Sequence, residues 1–94
     1  MINSLTRLKI APRVSIQELG PEEGGVVLRL ESGELYTVND TTMSFLRQLD
    51  GVRTIEEVAG TMLGEFEVSQ EILIADLVNI AGELVQESVI ISLP

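Results

Sequence analysis

The ninety-four residues contain no cysteine, no histidine and no tryptophan. Without cysteine there can be no disulfide and no thiolate-held metal. Without histidine as well, the commonest metal ligands and the commonest general base are both missing. A Ser–Lys dyad has almost no material, because the single lysine is Lys9. No cofactor, no metal and no catalytic residue is therefore expected. Basic residues are also scarce, six against fifteen acids, for a formal charge of −9. The scarcity is uneven: residues 48–94 set Arg53 alone against nine acids, while the other five basic side chains lie in residues 1–47. Affinity for nucleic acid comes largely from Lys and Arg neutralising phosphates, so DNA is not an expected partner. Such an acidic half instead favours Lys or Arg on whatever it meets, mainly by steering association. No apolar run approaches the roughly 18 residues of a membrane span, and "MINSLTRLKIAP" lacks a secretory apolar region. A cytoplasmic protein is the expectation.

What is present is globular composition, 45% hydrophobic and 22% charged, in a chain long enough for one domain with one modest core. Residues 1–12, ending near Pro12, read as an extended N-terminal arm, and residues 13–94 as the folded domain. "RVSIQEL" alternates through Val14 and Ile16 like a strand, and "GPEEGG" at 20–25 is loop by composition. "VVLRL" (26–30) and "ELYTV" (34–38) are two further strands, joined by a hairpin in which Gly33 supplies a positive φ. Beyond Asn39 the period changes from two to that of a helix. Asp40 or Thr41 is the expected cap of a first helix that carries Met43, Phe45, Leu46 and Leu49 and stops at Gly51. Thr54-Ile55-Glu56-Glu57 is a capping box opening a second helix to Gly64. Ser69 caps a third and longest helix to about Gln86, and "VIISL" (89–93) closes the chain as a short strand. The order predicts an α+β fold of winged helix-turn-helix type, a three-stranded antiparallel sheet followed by three helices.

Chemistry-bearing motifs are missing. Gly24-Gly25 is not part of a phosphate-binding glycine pattern, and no calcium-loop spacing occurs. The acid pairs Glu22-Glu23 and Glu56-Glu57 read as solvated charges. The third helix is more informative. Its apolar positions Leu73, Ile74, Leu77, Val78, Ile80, Ala81, Leu84 and Val85 fill an arc of about 160°, where one-sided packing needs about 100°. The helix must pack on two neighbours or line an apolar groove. "ELYTV", short and free of proline, has the character of an edge strand whose backbone could accept an extended peptide. The pattern points to a binding module rather than an enzyme.

The stretch "GELYTVNDTTMSFLRQLDGVRTIEEVAG" resembles the PqqD-like family of precursor-peptide recognition elements. The matching positions are Gly33, Tyr36, Val38-Asn39, Thr41-Thr42, Leu46, Leu49, Asp50-Gly51, Arg53-Thr54 and Glu57-Val58, then Asp76-Leu77, Ile80-Ala81, Leu84 and Val89-Ile90. Ser88 stands where the family usually has glycine. The resemblance implies a non-catalytic protein that binds the leader of a ribosomally made precursor peptide as an added strand and presents it to a modifying enzyme. It places the peptide on Glu34, Leu35, Tyr36, Thr37 and Val38, beside a helical wall drawn from Ile72, Leu73, Asp76, Asn79, Ile80 and Glu83. The opposite edge of the helix, Ile74, Val78 and Val85, stays open as an alternative wall. The hairpin "VVLRLESGELYTVN" is most similar to the stand-alone proteins of lasso-peptide clusters, which work with a transglutaminase-like leader peptidase. A peptide chaperone of coenzyme-PQQ biosynthesis and an acidic winged-helix adaptor are the alternatives.

Overall fold

The computed structural model describes residues 1–94. Five strands and three helices follow one another as β1 (Arg7–Ile10), β2 (Val14–Glu18), β3 (Gly25–Arg29), β4 (Leu35–Val38), α1 (Asp40–Arg47), α2 (Ile55–Met62), α3 (Gln70–Gln86) and β5 (Ile90–Leu93). Strands β2, β3 and β4 form the antiparallel three-stranded sheet in that order, with β4 on one edge. A second, two-stranded ribbon pairs β1 with β5, joining the two ends of the chain. Alternation in residues 5–10 shows that β1 can be extended; its partner lies some 80 residues away and leaves no local mark. Leu8 of β1 is buried in the main core beside Val89 and Ile90, and the same segment closes the start of α2, where Ile55 N donates to Thr6 O and Glu56 N to Ser4 O. Two backbone donors left over at a helix start are thereby satisfied by the chain's own first residues.

Each helix begins and ends for a local reason. α1 is capped by Asn39, whose side chain accepts from Thr42 N at 2.9 Å, one or two residues earlier than the expected Asp40 or Thr41. Asn39 wins because its backbone is still extended while its short side-chain oxygen reaches back to the first turn. The helix ends at Arg47, before Leu49, and Gly51 turns the chain at φ +79°. There the Asp50 carboxylate accepts from the backbone N–H groups of Val52 and Arg53, both at 2.9 Å, and from the Arg53 guanidinium. Those backbone donors, Arg53 first, hold the Asp50 carboxyl down at about 2. α2 starts with the reciprocal capping box of Thr54 and Glu57. The Thr54 N–H that Glu57 accepts lowers the Glu57 pKa from its ordinary value.

α3 is capped by Ser69 and leaves through Ser88, which takes a left-handed φ of 62°. Val89 N donates to Leu84 O and Ser88 N to Val85 O, the paired bonds of a Schellman exit. Glycine adopts this conformation freely, and here serine does so under strain. The wide apolar arc of α3 has both of the expected causes. Leu73, Leu77 and Ala81 are buried among α1, α2 and β5, while the flanking Ile80 and Leu84 remain half-buried, Leu84 across a cleft from Val27 and Tyr36 of the three-stranded sheet.

Candidate functional site

The hairpin after β3 sets the geometry of β4. Gly33 turns the chain at φ +76° and donates to Arg29 O at 2.8 Å. Arg29 N then donates to Glu34 O at 2.9 Å, which makes Arg29–Glu34 a hydrogen-bonded pair. Along an antiparallel ladder such pairs alternate, so with Val27 opposite Tyr36 and Gly25 opposite Val38 the inward backbone groups are those of Glu34, Tyr36 and Val38. Leu35 and Thr37, opposite Leu28 and Val26, turn their N–H and C=O groups to the open edge. Nothing in the chain covers that edge, because the C-terminal strand pairs with β1 instead. The register depends on two glycines in the preceding loop and strand. A Cβ on Gly24, which also has φ +72°, would overlap the Val38 carbonyl oxygen, and one on Gly25 would strike Met43.

Side chains follow the same alternation. Leu35, at 63% exposure, and Thr37 point to the outer face, and Tyr36 and Val38 point in and are half-buried. Between β4 and the C-terminal half of α3 lies a cleft of about 130 Å³. Val27, Tyr36, Thr37 and Val38 line its sheet side, and Leu84, Glu87 and Val89 its helix side. A polar network closes one end. Arg29 Nη1 donates to Glu34 Oε1 at 2.7 Å and to the Tyr36 hydroxyl at 3.4 Å, and that hydroxyl lies 3.3 Å from Glu34 Oε2 and 3.2 Å from Glu87 Oε2. The hydrogen bond to Tyr36, helped by the nearby negative charges and opposed by partial desolvation, raises the Arg29 pKa further. The guanidinium is therefore a fixed cation.

Of the five expected strand residues, Leu35 to Val38 form β4 and Glu34 immediately precedes it. The expected helical residues divide. Ile80 is half-buried and lies on the same side of α3 as Leu84; Asp76, Asn79 and Glu83 are exposed, as is Ile72 at 57%; Leu73, at 2%, belongs to the core. The alternative edge is half-buried, and Val78 with Ile2 lines a separate hollow outside the cleft, which the expected Asn79 and Glu83 also border. Four lining residues, Val27, Leu84, Glu87 and Val89, lie outside the set of site residues expected from the sequence. Leu84 sits within the apolar arc one turn beyond Ile80, a spacing that marks it. Glu87 reads as a solvated helix end until Tyr36 is placed across from it.

The model of the family described as "Coenzyme PQQ synthesis protein D (PqqD)" matches residues 24–90, which span β3, the open edge strand and all three helices. The chain belongs to the PqqD family. Two solved structures share this PqqD-like fold. One, of a lasso peptide synthetase B1 complexed with the leader peptide, is 25% identical with a TM-score of 0.71, over 94% of this chain and 99% of that one. The other, of TbiB1 in complex with the TbiA(β) leader peptide, is 18% identical with a TM-score of 0.73, over 87% and 93%. No curated protein matches the chain. No helix of this PqqD family member is long and apolar enough to cross a membrane.

Proposed function

We propose that this protein binds the leader segment of a ribosomally synthesised precursor peptide by strand addition to β4, and delivers it to a leader peptidase or other modifying enzyme in lasso-peptide biosynthesis. The open backbone of Leu35 and Thr37 beside an apolar cleft carries this reading. Membership of the PqqD family and the similarity to a lasso peptide synthetase B1 complexed with a leader peptide support it. Glu34, Leu35, Tyr36, Thr37 and Val38 supply the strand, and Ile72, Leu73, Asp76, Asn79, Ile80 and Glu83, extended by Leu84 and Glu87, the helical wall. In this reading residues 13–94 are the recognition domain, acting in the cytoplasm without a cofactor, and residues 1–12 brace α2.

The energetics divide the work between backbone and side chains. A disordered leader orders on binding, at a cost of about 1–2 kcal/mol per residue. Backbone pairing offsets that cost but is blind to sequence, so selectivity falls to leader side chains that enter the cleft. The protein holds no acid–base pair suited to chemistry and acts by presentation. Fluorescence polarisation with the labelled leader of the precursor encoded beside this gene tests the reading. Saturable binding by the leader, and none by the core segment or a DNA duplex, is expected. Retention of the duplex, or indifference to the leader, would refute it. The family's other setting, PQQ biosynthesis, predicts instead a PQQ precursor among the neighbouring genes.

A further inference from the structure

Three of the four acids of α3 and its cap lie on one side of the helix; Glu71 lies on the other. The helix and its cap carry Glu71, Asp76, Glu83 and Glu87 and no basic residue. Measured at about 100° per residue from Leu84, which lines the cleft, Glu87, Asp76 and Glu83 lie about 60°, 80° and 100° round, all toward the side of Ile80. Glu87 lines the cleft itself; the exposed Asp76 and Glu83 lie outside it on the same side of α3, and Glu83 also borders the hollow lined by Ile2 and Val78. None of the three enters an ion pair; the protein's five pairs all lie elsewhere. The one cation at the cleft, Arg29, is already held by Glu34 at 2.7 Å and by Tyr36. An apolar cleft thus has one carboxylate, Glu87, in its wall and two more, Asp76 and Glu83, exposed on the same side of the helix, none of them in an ion pair.

We propose that the occupant of this cleft is a cationic peptide: an extended segment with one apolar anchor and with Lys or Arg at alternate positions beside it, selected by Asp76, Glu83 and Glu87. The inference rests on the reading of β4 and the cleft as a peptide site, and adds the chemistry of what that site accepts. Asp76 and Glu87 are separated by about 16 Å along the helix axis. That length matches about five residues of an extended strand, of which three alternate side chains face the helix. One fills the apolar cleft and its two neighbours on that face reach the carboxylates. Repulsion among the acids disfavours an anionic peptide in the same register.

The test pans a phage-displayed library of random twelve-residue peptides against the immobilised full chain, with Thr37→Pro as the blocked-edge control. Selected peptides, resynthesised with a fluorophore, are then titrated against the unsubstituted protein and against Asp76→Asn/Glu83→Gln at low and high salt. Lys or Arg should be enriched two residues from an apolar position. Each lost carboxylate should weaken binding by about 1.5- to 5-fold, as expected of exposed ion pairs, and flatten the salt dependence. Lys→Gln in the peptide should weaken binding to the unsubstituted protein and have little further effect on the double variant. Selected peptides with an apolar anchor but no excess of Lys or Arg, captured by the unsubstituted chain and not by Thr37→Pro, would overturn the cation preference and leave the peptide site standing. Capture that is absent, or equal on Thr37→Pro, would overturn the peptide site and the preference with it.

Discussion

Replacing Thr37 by proline separates the backbone role of β4 from every other role. Thr37 lies opposite Val26 in a pair that exchanges no ladder hydrogen bonds, so its N–H is not used by the fold. Its side chain is exposed, and it sits on an edge, where proline is tolerated. The residue before it, Tyr36, is already extended, as a residue preceding proline must be. The substitution removes one donor from the open edge and puts a ring where the incoming peptide carbonyl would approach. One net backbone hydrogen bond is worth about 0.5–1.5 kcal/mol, and a carbonyl left unpaired against the ring costs about 1–3 kcal/mol. At about 1.4 kcal/mol per decade, the leader Kd should rise by at least about tenfold. Thr37→Val keeps the N–H and the side-chain shape, and should bind as the unsubstituted protein does. Polarisation titration of the three proteins, with thermal melting to show that each is folded, gives the comparison. An unchanged Kd for a folded Thr37→Pro would refute the strand-addition register.

Other outcomes follow from the local chemistry. Ser88→Gly relieves a left-handed residue at the exit of α3 and should stabilise the protein by about 0.5–1 kcal/mol, read as a rise in the denaturant midpoint. Gly24→Ala forces a Cβ against the Val38 carbonyl at positive φ and should cost roughly 1–3 kcal/mol, a fall in Tm of several degrees for a domain of this size. Asp50, with a folded pKa of about 2 against an ordinary 3.8, contributes stability that is present above about pH 4 and lost as pH falls toward 2. Asp50→Asn should therefore melt below the unsubstituted protein at pH 6, with the gap closing between pH 4 and pH 2; a gap independent of pH would contradict the assignment.

The sequence was most legible where one residue decides a local event. The capping box at Thr54 and Glu57, the cap at Ser69, the hairpin glycine at 33 and the three sheet strands all lie where pattern places them, because each depends on neighbours a few residues away. The pairing of β1 with β5 was not legible. Leu8 and Ile10 alternate as in any short strand, Ile90 and Ile91 belong to a plain apolar run, and only the collapsed core brings the two segments together. The cap of α1 lies one or two residues before the expected Asp40 or Thr41 because "NDTT" offers four competent caps in a row, and backbone conformation alone selects Asn39. At the candidate site, the strand was marked by its missing proline and its alternation. The cleft was half marked. The breadth of the apolar arc announced a groove or a second neighbour, but the contribution of Leu84, Glu87 and Val89 depends on how α3 crosses the sheet. That crossing is a tertiary fact with no local signature.

Amide hydrogen exchange across β4, followed by NMR with and without the leader peptide, tests the central claim most directly. In the free protein the Tyr36 and Val38 amides, bonded to β3, should exchange slowly, and those of Leu35 and Thr37 fast. On saturation with leader, the exchange of Leu35 and Thr37 should slow by roughly tenfold or more, with Tyr36 and Val38 little changed. Tight binding with the Leu35 and Thr37 amides still exchanging freely would contradict the account.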